Sequence, residues 1–465
     1  MSIASTTAVA PSDPPARPVR YRTKPLRFLE PAAFHADKLG YLERAAARGP
    51  VVELQFGPVT LYLLREPEAI EHVLVRNARN YGKDTLGFDA LRLFLGNGLL
   101  TSEGSFWRRQ RRIAQPAFHH KRIEGFARTM VELADAEIDR MAAEAHAGGQ
   151  PVDIARHMTV MTQRVAGTTL LGADPDADVD TVGRCVDVLN RYVDYILMTP
   201  IRVPLWIPTR RNRRARWAGR TLDRMVAEMI QARRRDGVDG HDLLSMLLAA
   251  RDEETGESMT DAQLRDEVVT IFLAGHETTA NALAWTFYLL TQHPEHQRAA
   301  QAEVDRLLGG RAPTAADVRE LGLVERIVKE SMRLYPPAWF LERSLHQEDV
   351  VGGARLRPGA IIALVPWITH RLPHLWEEPA RFDPDRFLPE REKARPRFAY
   401  FPFGGGQRLC IGRAFAMMEA VLVVARVLQR FDVALAERAR IEPEALVTLR
   451  PKYGVPVVLS PRAGT

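Results

Sequence analysis

Two stretches concentrate the residue types that carry chemistry. Phe403-Gly404-Gly405-Gly406-Gln407-Arg408-Leu409-Cys410-Ile411-Gly412 sets a thiol two residues after an arginine and behind three successive glycines. Ala274-Gly275-His276-Glu277-Thr278-Thr279 sets a carboxylic acid beside two hydroxyls inside a long apolar run. Three glycines suggest a phosphate cradle, but no Lys-Ser/Thr follows at P-loop spacing and no final glycine completes a dinucleotide fingerprint. What remains is a turn that delivers Cys410 to the N-terminus of the last helix, where the dipole and free N–H groups favour a thiolate. Taken alone, that leaves two readings, an inert buried cysteine or a thiolate that binds metal or attacks substrate. His276-Glu277 invites a zinc reading, but H-E-x-x-H needs histidine at position 280, where Ala280 stands, so zinc hydrolysis is excluded. Glycine and paired threonines are poor helix formers. A local rule broken inside a consistent helix marks function or, more plainly, a polar stripe packed between helices.

Weaker constellations accompany these. Glu330-Ser331-Met332-Arg333 places opposite charges one helical turn apart, as many solvated surfaces do. Trp107-Arg108-Arg109-Gln110-Arg111 is basic and aromatic, which fits nucleic acid in principle and a solvated helix start more simply. Pro200–Trp217 mixes proline, apolar residues and six arginines, the composition of a solvent-facing loop ahead of an amphipathic helix.

The chain that must position these residues has 465 of them, 46% hydrophobic and 26% charged. This is a globular composition that excludes disordered and disulfide-stapled classes. Its formal charge of +6 is mild and does not demand nucleic acid. Cys185 and Cys410 are the only two cysteines, too few for a zinc–thiolate cage or an iron–sulfur cluster and in keeping with a reducing cytosol. Residues 1–25 read as a disordered, proline-rich leader without a signal peptide's apolar core. Val51–Leu64 reads as a hairpin around Gly57-Pro58. Apolar spacing of three and four predicts helices over Gly125–Ala145, Arg213–Arg235 and Asp266–Gln292, the last about 26 residues long. Asp261 or Asp266 is the expected cap, and Pro294 the stop. Val268–Leu290 is long enough to span a bilayer, but Glu277 and its polar neighbours make a buried soluble helix the better reading. A last helix is expected over Ile411–Phe431, with β-rich parts near 50–65, 345–370 and 445–460.

Phe403, Gly406, Arg408, Cys410 and Gly412 match F-x-x-G-x-R-x-C-x-G, and the chain resembles the cytochrome P-450 family, soluble bacterial type. The resemblance implies a mainly α fold with a small β-rich subdomain, a single domain over 26–465, and haem b (iron protoporphyrin IX) between the long central helix and the Cys-loop helix. It makes Cys410 the axial thiolate, a donor that favours O–O cleavage. It makes Glu277 and Thr278 the acid–alcohol pair that delivers protons, with Gly275 relaxing the helix. Glu330, Arg333 and Arg386 become a buried structural ion network; Asp385 stands where the family usually has glutamate. Trp107, Arg111, Arg343 and Arg408 become haem-propionate partners, with Phe403 and Gly412 also against the cofactor. The implied substrate pocket takes Leu99, Leu100, Ala274, Ala338, Leu341 and Val447, all apolar.

The implied activity is insertion of one oxygen atom from O2 into a lipophilic molecule of fatty acid, terpenoid, steroid or polyketide type. No flavin or ferredoxin domain is expected, so NAD(P)H acts only indirectly, through a ferredoxin or flavodoxin with its reductase. Arg108, Arg109, Arg112 and Arg413 are the expected docking side. No nucleic acid and no transmembrane segment are expected, only a transient membrane contact through the 200–217 lid. Two other readings stay open: a non-enzymatic haem-thiolate sensor, and a relative that uses peroxide.

Overall fold

The computed structural model describes residues 16–24, 30–148, 151–172, 179–199, 203–236, 242–251 and 256–462. In chain order, the helices that frame the site are α1 (Lys38–Ala46), α2 (Gly104–Ala114), α3 (His120–Gly148), α4 (Ile154–Leu171), α5 (Val179–Met198), α6 (Arg210–Asp236), α7 (Asp261–Gln292), α8 (Gly322–Leu334) and α9 (Arg413–Arg430). The apolar run that could have been mistaken for a membrane span is α7. It packs along α4 and touches α6, α8 and α9, and Leu283, Trp285, Phe287 and Leu290 in it are fully buried. Among the described residues, no helix is long and apolar enough to cross a membrane.

α7 has 32 residues rather than about 26, and neither Asp261 nor Asp266 caps it. Thr260 does, accepting from the Gln263 N–H while the Gln263 side chain accepts from the Thr260 N–H, a reciprocal box that satisfies two orphan donors. Asp266 is freed for the Asn97 N–H at 2.7 Å. His293 is the C-cap, and Pro294 opens the next helix. α9 starts at Arg413 after Gly412 and buries Phe415, Met418, Leu422, Ala425 and Leu428, the face its spacing predicts.

The Val51–Phe56 and Val59–Leu64 strands form the expected antiparallel hairpin, joined edge to edge by Ile361–Leu364 and Leu341–Leu345. A strand stands inside the expected 1–25 leader. Val19–Tyr21 is a parallel edge strand with Val19 opposite Val52, an edge being where a proline-flanked segment can pair. Residues 1–15 and 25 lie outside the described residues. The expected β stretch to residue 370 ends early, because Pro366 starts a short helix, Pro366–Thr369. The C-terminal strands do not join the first sheet. Pro456–Pro461 pairs with Phe431–Leu435 and Val152–Asp153, and Leu449–Pro451 pairs with Pro443–Ala445.

Candidate active site

α7, α9's leading loop and the sheet enclose a cavity of about 860 Å³ with a largely apolar wall. Cys410, Glu277, Thr278, Trp107, Arg111, Arg343, Phe403, Arg408 and Gly412 all line it, although they come from four separate parts of the chain. So do Leu99, Leu100, Ala274, Ala338, Leu341 and Val447. His276 does not. Its ring packs on Phe272, and its Nδ1 lies 2.8 Å from the Phe272 carbonyl. Burial holds it neutral, lowering its pKa to about 4.

The Cys loop is fixed by backbone. Cys410 N–H donates to Phe403 O at 3.0 Å, and Arg111 Nη1 donates to Leu409 O at 3.1 Å. Gly406 has φ of +64°, and a Cβ there would collide with the Leu74 carbonyl, so only glycine fits the turn. The thiol is free and opens to the cavity. Burial pushes its pKa up, while the Gly412 N–H and the charges of Arg111 and Arg413 pull the other way.

Beside the thiol lies a cluster of buried cations. Arg343 is 9% exposed and Lys83 5%, and both line the cavity with Arg408. Burial lowers Arg343 to about 10, and burial with repulsion from Arg343 does the same to Arg408. Lys83 falls well below its ordinary value through burial and these two arginines. Arg408 Nη1 is buried without a hydrogen-bond partner. Such a cluster costs free energy unless an anion completes it. A porphyrin with two carboxylates, seated over a thiol, fits that demand in charge and in donor chemistry. Sequence reasoning missed Lys83, which stands in an undistinguished Gly82-Lys83-Asp84 context and acquires its setting through Leu100, whose carbonyl accepts from Nζ, and Phe88, whose ring centroid lies 4.8 Å from it.

On the opposite wall, α7 runs unbroken through Gly275. The Thr278 and Thr279 hydroxyls donate back to Ala274 O and Gly275 O, four residues earlier, at 2.8 and 3.0 Å. The Thr278 hydroxyl thus keeps its lone pairs for a donor in the cavity. Glu277 Oε1 accepts from Asn190 Nδ2 and Thr448 Oγ1, each at 2.6 Å. Burial outweighs these bonds and the nearby Arg450, so its pKa is raised.

Farther out, Glu330 and Arg333 are fully buried. Arg333 forks onto the carboxylate at 2.7 and 2.8 Å and donates to the carbonyls of His370, Pro379 and Arg381. Arg386 Nε approaches Glu330 to 3.4 Å without a hydrogen bond, and the Asp383 N–H takes that place at 2.9 Å. Of the 200–217 segment, residues 200–202 lie outside the described residues. Beyond them Trp206 is 74% exposed, ahead of the arginine-rich start of α6.

Comparison with known proteins agrees with this geometry. A family model described as cytochrome P450 matches residues 37–457. Cyclooctatin synthase of Streptomyces melanosporofaciens is 38% identical over 93% of this chain and 92% of its own. Cyclooctat-9-en-7-ol 5-monooxygenase of the same organism is 38% identical over 91% and 92%. Pentalenene oxygenase of Streptomyces avermitilis is 35% identical over 88% and 90%. Among solved structures, the haem domain of cytochrome P450DA superposes with a TM-score of 0.85 at 29% identity, covering 96% of this chain and 97% of that one. A thiol under a cationic, porphyrin-sized cavity, in a chain so matched along its length, belongs to the cytochrome P450 family of haem-dependent monooxygenases.

Proposed function

We propose that this monooxygenase hydroxylates a cyclic terpenoid, either the hydrocarbon skeleton or an alcohol already made from it. The carrying observation is the cavity, whose wall is largely apolar, with polar and charged side chains that include the cation cluster, the Glu277–Thr278 face with Asn190 and Thr448, and the Lys38–Asp194 pair. A rigid hydrocarbon fits such a space, where few polar groups fix its orientation. The relatives support the same reading, since they include a cyclooctatin synthase, a cyclooctat-9-en-7-ol 5-monooxygenase and a pentalenene oxygenase, two of them named for oxygenating a cyclic alkene or its alcohol.

Haem is the cofactor, and it supplies the reducible iron at which dioxygen is activated with two electrons and two protons per oxygen atom inserted. Cys410 would hold the iron. Arg343, Arg408 and Arg111, with Trp107 beside them, would take the two propionates. Glu277, its pKa raised by burial, supplies a proton at the cavity wall, and Thr278, whose own proton goes to Ala274 O, presents an oxygen that accepts a hydrogen bond from the group being protonated, while the apolar wall keeps bulk water out. Electrons arrive from redox partners. We assign these to a ferredoxin or flavodoxin with an NAD(P)H-dependent reductase in the cytoplasm, docking where Arg108, Arg112 and Arg413 are exposed. Trp206 with the α6 arginines is suited to brief contact with anionic lipid, which sedimentation with such vesicles would show and its absence would dismiss.

Titrating the ferric holoenzyme with cyclic terpenes, their mono-alcohols and fatty acids tests the substrate class. Terpenoids should shift the iron toward high spin at concentrations at least about tenfold lower than fatty acids, a difference of ~1.4 kcal/mol. The reverse order would overturn the reading.

A further inference from the structure

α5 lays three polar contacts along one face, each to a different element. Asp187 accepts from Arg450 Nη2 at 2.8 Å, Asn190 donates to Glu277, and Asp194 takes the Lys38 ammonium of α1. Spacings of three and four residues keep them in one line. Only the middle contact reaches the acid on α7.

The second donor to Glu277 Oε1 comes from the far end of the chain. Asn281 Nδ2 donates to Thr448 Oγ1 at 3.1 Å, so the single hydroxyl proton of Thr448 is turned toward Glu277. The turn that carries Thr448 is itself pinned. Trp285 Nε1 donates to Leu449 O at 3.1 Å, Trp339 Nε1 to Leu446 O at 2.9 Å, and Leu449 N–H to Pro337 O at 3.0 Å. One jaw of this clamp is therefore rigid, and the other rides on α5, which also walls the cavity.

Two donors on one oxygen have a chemical result. Oε1 stays an acceptor whether the acid is charged or neutral, and the proton is left to Oε2. We propose that Asn190 and Thr448 are positioning residues for Glu277, fixing its carboxyl group through Oε1 and reserving Oε2 to carry the proton. This rests on the reading of Glu277 as the acid. The charged groups around it are Arg450, which favours the carboxylate, and Asp187, which opposes it; burial, the largest influence, raises its pKa. Because Asn190 sits on α5, the acid is fully set only while that helix lies over the cavity.

The test uses the holoenzyme and the variants E277Q, N190L, T448V and T448S. Infrared difference spectra locate the carboxyl band that E277Q abolishes. In N190L and T448V that band should move to higher frequency, as a carbonyl oxygen freed of a donor does. Product formed per NAD(P)H consumed should fall about fivefold, the effect of one lost hydrogen bond. Haem content should not change, and T448S, which keeps the hydroxyl, should behave as wild type. Should N190L fail to accumulate, N190A and the two Thr448 variants carry the same test. An unmoved band and unchanged yield in T448V, with E277Q impaired, would overturn the positioning role and spare the acid. Unchanged yield in E277Q would sink the acid reading, and the clamp with it.

Discussion

The Arg408 guanidinium lies 3.7 Å from the centroid of the Trp107 ring, which ties the thiol-bearing loop to α2 across the wall of the cation cluster. A desolvated contact of this kind contributes about 2 kcal/mol. Trp107→Leu and Arg408→Leu should each release haem about tenfold faster to an excess of a haem-scavenging protein, and Trp107→Phe should lie between. Wild-type retention in both leucine variants would remove these residues from cofactor binding.

Glu330 is the single carboxylate under a forked, fully buried Arg333. Glu330→Ala leaves that guanidinium unpaired and should cost about 3–5 kcal/mol in urea unfolding. Arg386, lacking a hydrogen bond to Glu330, should cost far less when changed to leucine. Equal losses would mean that the two arginines share the load.

Asp349 begins the Asp349–Val351 strand, which pairs with Ala354–Leu356, and ties that small hairpin to residues 72–81. His72, Asn77 and Tyr81 all meet its Oδ2, at 2.8, 2.9 and 2.6 Å. Burial acts to raise its pKa, but these bonds outweigh it and bring the value to about 2. A folded value below the unfolded one means stability present above about pH 4 and lost as pH falls toward 2. Asp349→Asn should therefore be about 2 kcal/mol less stable than wild type at pH 7, with the two converging below pH 4. Parallel curves across that range would contradict the assignment.

Thr278 faces the cavity with its proton donated to Ala274 O. Thr278→Ala should leave haem content and oxygen consumption near wild type while product per electron pair drops about tenfold, the effect of one lost hydrogen bond. Full coupling in the alanine variant would instead favour a chain that does without the hydroxyl. Turnover with peroxide and no electron donor is the measurement that then separates a peroxide-using enzyme.

Arg108, Arg112 and Arg413 are exposed, whereas Arg109 is half-buried and lies 3.4 Å from Glu257. If the first three receive an acidic electron donor, their reversal to glutamate should slow reduction, and wild-type reduction should weaken steadily from low to physiological salt. Reduction rates indifferent to salt would move the docking face elsewhere.

What could be read from sequence was local. The Cys loop and the 274–279 stretch are contiguous, so residue order alone exposed them, and both proved to line one cavity. The apolar period of α7 was equally plain, but its cap was misassigned because Thr260, Asp261 and Asp266 all cap well and only the reply of Gln263 chooses among them. Lys83, Asn190 and Thr448 left no trace. Asn190 and Thr448 meet Glu277 across 87 and 171 positions, and contacts of that separation write no spacing into either partner. The pairing of the terminal strands was hidden for the same reason, since a strand pattern states that a face is buried and not which neighbour buries it.

Gly406 bears on how this protein can be altered. Its missing side chain, together with its positive φ, lets the thiol-bearing turn lie flush on the Leu74 carbonyl. Anyone diversifying this stretch to retune the iron's potential can vary Gln407 or Leu409, but even alanine at 406 would lift the sulfur from its seat. The variants that survive such a screen should keep that one position untouched.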